Sequence, residues 1–142
     1  MKHKHRAHRA GFALTELVVA IAITIVIGAF SAPSLLRAHL RLQASQTLKI
    51  MREIESAKEL YAAKNGIPDG VIPSCADLLP FARQGSPAAA QLAANRVHDV
   101  LGRPIAINAI GQLPQLNTVS RDQFAPAVED GPQEFWGEFG QR

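Results

Sequence analysis

Residues 12–36, FALTELVVAIAITIVIGAFSAPSLL, run for 25 positions with a single charged side chain, Glu16. As a helix rising about 1.5 Å per residue this stretch reaches about 37 Å, more than the roughly 30 Å of a bilayer's hydrocarbon core. Many of its residues are β-branched (Val18, Val19, Ile21, Ile23, Ile25, Val26, Ile27). In lipid, however, the backbone must satisfy its own hydrogen bonds, and that imposes a helix over a strand. Gly28 and Pro33 are the positions where a bend is expected. A secretory signal peptide is the competing reading, because basic residues precede the run. Against it, the run is longer than an ordinary signal core, carries a carboxylate in its first turns and leads directly into more helix.

The preceding segment, residues 1–11 (MKHKHRAHRAG), is basic and has no apolar stretch. It reads as a charged leader held on the cytoplasmic side. His3, His5 and His8 suggest a metal tract by composition alone, but no fixed backbone would hold them together. Lys2, Lys4, Arg6 and Arg9 account for the chain's formal +3: without them eleven basic residues face twelve acidic ones. A soluble basic nucleic-acid binder is thereby excluded, and no nucleic-acid partner is expected.

Beyond Pro33 apolar residues recur at helical spacing: Leu36, Leu40, Ala44, Leu48, Met51, Ile54, Ala57 and Tyr61. Between them lie Arg37, Arg41, Lys49, Arg52, Glu53, Glu55, Lys58, Glu59 and Lys64, which gives one apolar stripe and a charged remainder. This amphipathic helix is expected to end at Asn65-Gly66. Joined to the apolar run it covers residues 12–65, about 80 Å, far more than a small domain can cover.

Residues 66–142 are turn-rich and suggest a small head. Ile67-Pro-Asp-Gly70 is a turn sequence, and Ser74 with Asp77 opens a short helix over about 75–83 as a capping box. Ser86-Pro87 opens a second, alanine-rich helix ending near Asn95. Arg103–Asn108 and Gln112–Val119, joined by a turn at Ile110-Gly111, predict an antiparallel hairpin. The expected class is therefore α+β. Phe135, Trp136 and Phe139 should fasten the tail, with its charges facing water. Cys75, the only cysteine, excludes an internal disulfide and a cysteine-based zinc cluster; it is either buried as a small hydrophobe or links two chains. No nucleophile comes with a base, since His39 and His98 are isolated, and no phosphate-binding glycine loop is present; neither an enzyme nor a cofactor site is expected.

The junction Arg9-Ala10-Gly11-Phe12-Ala13-Leu14-Thr15-Glu16-Leu17 resembles the prepilin signature of type IV pilins and type II secretion pseudopilins: a basic leader ending in glycine, then phenylalanine, then a glutamate four residues on. Pro33 falls where these proteins commonly carry a membrane-helix proline. The resemblance implies cleavage between Gly11 and Phe12 by a prepilin peptidase, N-methylation of Phe12 by the same enzyme class, and assembly through Glu16. It also implies a single-pass protein of the bacterial inner membrane, with a cytoplasmic N-terminus and a periplasmic head. Its partners would be the peptidase, an inner-membrane assembly platform, membrane lipid and other pilin-like subunits. Under this resemblance 1–11 is the leader, 12–36 the transmembrane assembly helix, 37–65 its amphipathic continuation and 66–142 the head.

Two further stretches, Ile54–Tyr61 with Ser74–Phe81 and Asp99-Val-Leu-Gly-Arg-Pro-Ile105, are similar to pseudopilin patterns, the second to a turn entering the sheet. There Leu101 and Ile105 stand where the pseudopilins carry aromatics. Glu129 and Asp130 do not match a calcium loop, so no metal is expected. The alternative function is a monomeric, membrane-anchored periplasmic binding module.

Overall fold

The computed structural model describes residues 7–128 and 132–140, with the side chains of all of these except 7–13, 30–32 and 132–133. Most of the leader, with Glu129 and Asp130, therefore lies outside the described residues. Helix α1 runs Ala7–Asn65, with Pro33 inside it. Among the described residues four short α-helices follow: α2 (Cys75–Leu78), α3 (Pro87–Ala93), α4 (Thr118–Phe124) and α5 (Pro132–Trp136). The chain divides into two compact units, Met1–Ala38 and His39–Arg142.

In the second unit, α1 stops where the sequence asks it to. Gly66 adopts φ 63°, a left-handed conformation that costs a glycine little. The Ile67 N–H then donates to the Ala62 carbonyl at 3.1 Å, closing the helix with a six-to-one bond. From Leu40 on, the predicted stripe is the packing face: Ala44, Leu48, Met51, Ile54 and Ala57 are buried, and Leu40 and Tyr61 half-buried, whereas Leu36, expected to open the stripe, is exposed. Full burial of a side chain such as Met51 or Ile54 contributes about 1.5–3 kcal/mol. Against this face pack Leu78, Leu92, Ile105, Leu116, Phe124 and Trp136, in one core.

The capping box of α2 is formed in full. Ser74 Oγ accepts from the Asp77 N–H, and Asp77 Oδ2 accepts from the Ser74 N–H at 2.9 Å and the Ser74 hydroxyl at 2.6 Å. The Ser74 hydroxyl, and after it the Ser74 N–H, hold the Asp77 carboxyl below its usual range. A carboxyl with a lowered folded pKa stabilises the fold above its unfolded value, about 3.9, and that contribution disappears as pH falls through the lower folded value. Asp77→Ala is therefore expected to unfold at lower urea than the parent at pH 6, with the gap closing towards pH 3. Parallel curves at both pH values would contradict the cap's ionic character. The next cap also forms as expected, Ser86 Oγ accepting from the Ala89 N–H at 3.2 Å, with Pro87 in the first turn of α3.

The expected hairpin is not there, and the α+β class is corrected: among the described residues the fold is helical, with no strand. Only two isolated antiparallel bridges remain, His98 with Pro104 and Ala106 with Gln115. Ala106 and Gln115 exchange both backbone hydrogen bonds, at 3.0 and 2.9 Å, and the ladder ends after that rung. Pro104 and Pro114 have no N–H to donate. Asn108 turns left-handed at φ 58°, and Asn117 caps α4 by accepting from the Val119 N–H, so residues expected in the second strand enter a helix. The predicted turn at Ile110-Gly111 does form, Gln112 N–H donating to the Ala109 carbonyl. Gly111 is required there twice over: φ is +83°, and a Cβ would stand 2.9 Å from Asp69 Cγ. The turn at Asp99–Arg103 is likewise present, but it leads into a single bridge instead of a sheet.

The tail aromatics fasten as expected. Trp136 is buried, 6.1 Å from the Phe124 ring, with Phe135 edge-on to it at 5.1 Å. Cys75 is half-buried and unpaired, and burial pushes its thiol up, partly offset by a backbone hydrogen bond.

Candidate assembly helix and head anchorage

In the first unit the apolar run is helical and bare. The side chains of Leu14 and Ile25 are each 65 % exposed, and none of the most apolar 18-residue stretch is covered by the rest of the chain. This is the one helix, among the described residues, long and apolar enough to cross a membrane. Its polar group at Thr24 is satisfied locally, the hydroxyl donating to the Ala20 carbonyl at 2.8 Å. Such i−4 bonding lets a threonine sit in an apolar helix without an orphaned hydroxyl.

Gly11, Phe12 and Glu16 all fall within α1. The helix therefore sets positions 12 and 16 one turn apart on one face. The side chain of Glu16 is exposed, and those of Gly11 and Phe12 lie outside the described ones. The Gly11–Phe12 bond lies within the helix, and a glycine there weakens the helix locally by about 1 kcal/mol relative to alanine. Gly28 and Pro33 also lie within the helix; a Cβ at Gly28 would meet nothing within 4 Å, so no neighbour in the chain demands a glycine there.

Within the second unit, sequence reasoning missed the polar groups that tie the head to its own segment of α1. Lys58, assigned above to the charged remainder, is 1 % exposed. Its Nζ donates to Glu55 Oε2 at 2.9 Å and to the Gln112 carbonyl, so a helix cation holds the 108–115 loop. Its position was visible in the periodicity, four residues after Ile54 and three before Tyr61. Thr47 is buried on the same face and accepts from the Val100 N–H at 3.4 Å. Asp99 Oδ1 accepts from the N–H groups of Leu101 and Arg103, both at 2.9 Å, which fixes the turn that Thr47 meets.

Among the described residues no three His, Cys, Asp or Glu side chains gather into a metal-binding group. No family model, curated protein or solved structure matches this chain.

Proposed function

We propose that this chain is the precursor of a pilin-like subunit, cut between Gly11 and Phe12 and polymerised through its N-terminal helix. The observation that carries this reading is the bare apolar helix directly behind the Gly11-Phe12…Glu16 junction. That much uncovered apolar surface needs lipid or other copies to cover it. Before assembly the bilayer serves; in the filament, neighbouring helices do. Glu16 then finds a cation in the freed Phe12 amine of an adjacent subunit, which fixes their register. Prepilin peptidase and an inner-membrane assembly platform are the machinery this requires, with the head on the periplasmic side.

The test is mass spectrometry of the protein from its own membranes. The expected N-terminus is Phe12, methylated, and Gly11→Trp should accumulate a precursor longer by residues 1–11. A parent protein still beginning at Met1, or a Gly11→Trp protein of mature length, removes this reading.

A further inference from the structure

Two side-chain oxygens among the described residues are buried without a hydrogen-bond donor, Glu53 Oε2 and Asp99 Oδ2. Asp99 uses its other oxygen to hold a turn through the Leu101 and Arg103 N–H groups. Glu53 lies within α1 and lines a cavity of about 270 Å³ between that helix and the loop that enters α3. Lys49 and Arg83, both exposed, line the same cavity, and residues 84–87 complete its wall.

The one ion pair among the described residues joins Lys58 to Glu55, so neither Lys49 nor Arg83 neutralises Glu53. A carboxylate oxygen taken out of water without a donor is costly. Lys49 stands one helical turn before Glu53 and is able to swing to it, but a pair made by so exposed a side chain gains little. A ligand inside the cavity brings its donor to the buried oxygen directly.

The cavity thus offers one acceptor in need of a proton donor and two cations in need of anions. At about 30 Å³ for each water, 270 Å³ is room for roughly nine non-hydrogen atoms. A molecule of that size meeting all three groups carries one ammonium and two carboxylates, which is the make-up of an acidic α-amino acid.

We infer that the head binds a free acidic α-amino acid in this cavity, its ammonium donating to Glu53 Oε2 and its two carboxylates meeting Lys49 and Arg83. The inference goes beyond the subunit reading and does not rest on it, since every residue it uses belongs to the second unit.

The experiment titrates L-glutamate onto the full chain in detergent micelles and takes the dissociation constant from ligand-observed NMR. A ligand this small is expected to bind at about 1 mM. Glutarate lacks the ammonium and γ-aminobutyrate lacks one carboxylate; each should bind about tenfold more weakly, as the loss of one charged hydrogen bond implies. Glu53→Gln keeps the side chain's size and should bring L-glutamate down to the affinity of glutarate. Lys49→Met and Arg83→Met should each weaken L-glutamate about tenfold and leave Trp136 fluorescence unchanged, because both side chains are exposed. L-glutamate that shows no saturable binding overturns the site. Glutarate binding as tightly as L-glutamate overturns the role of Glu53 and leaves an anion site only; γ-aminobutyrate binding as tightly overturns the need for two cations. Variants that bind like the parent also overturn the assignment, because the ligand then sits elsewhere. The three ligands compared on the parent chain decide the matter even where a variant fails to fold.

Discussion

Glu16→Ala is expected to be inserted and cut at Gly11–Phe12 as well as the parent chain, yet to fail in assembly. A carboxylate near the start of an apolar helix opposes insertion, by as much as about 2.5–3.5 kcal/mol at the bilayer centre and less towards the interface. Alanine removes that cost, so the membrane step should improve if it changes at all. Under the proposed subunit reading, what the variant loses is the attraction to the Phe12 amine of a neighbour. Two unit charges about 4 Å apart at an effective dielectric near 20 attract by about 4 kcal/mol. Even half of that lowers the constant for adding each subunit roughly thirtyfold. Glu16→Gln separates charge from shape: it keeps the side chain's size and should fail nearly as badly. The measurement pairs the mass of the membrane-extracted N-terminus with the yield of sheared filaments. Mature, normally assembling Glu16→Ala protein would remove charge pairing from the mechanism.

The local elements that could be read from the sequence were those set by a few neighbouring residues. The Ser74–Asp77 cap, the Ser86-Pro87 helix start, the glycine stop at Gly66 and the turn at Ile110-Gly111 each depend on side chains within four positions, and each forms. The stripe from Ala44 to Ala57 depends only on the helical period. The hairpin did not follow from such rules. Ile105 buried, Ala106 exposed and Ile107 half-buried do alternate as a strand would. Between Pro104 and the left-handed Asn108, however, only three residues remain to pair, and Asn117 draws the partner segment into α4. Lys58 was misplaced for a different reason: its residue type argued for solvent while its position argued for the core. Position prevailed because a carboxylate on its own helix and a carbonyl 54 residues away were both in reach. That second partner is a tertiary contact that no local pattern encodes. Of the candidate site, Gly11, Phe12 and Glu16 were legible as a motif, whereas the anchorage through Thr47, Lys58 and Asp99 appears only once the chain is folded.

Lys58→Ala is expected to lower the unfolding free energy of the head by about 2–4 kcal/mol. Breaking a fully buried charge pair by removing one member costs about 3–5 kcal/mol. Here Glu55 is 17 % exposed and can turn back towards water, which brings the figure down. The Gln112 carbonyl has less recourse, and losing its donor exposes it to the penalty for an unmet buried acceptor, about 1–3 kcal/mol. Alanine also removes a buried aliphatic stem, leaving a gap beneath the 108–115 loop. Lys58→Met fills that gap and loses only the hydrogen bonds, so it should fall between parent and Lys58→Ala. Trp136, the chain's only tryptophan, is buried against Phe124 and reports the transition directly in urea titrations. Equal midpoints for parent and Lys58→Ala would mean that the buried cation contributes nothing net. Because Lys58 and the Gly11–Phe12 bond belong to different units, N-terminal processing should be untouched even where the head is loosened. A Lys58→Ala chain that is trimmed normally but assembles poorly would then place a demand for an intact head on polymerisation, separate from the demand at Glu16.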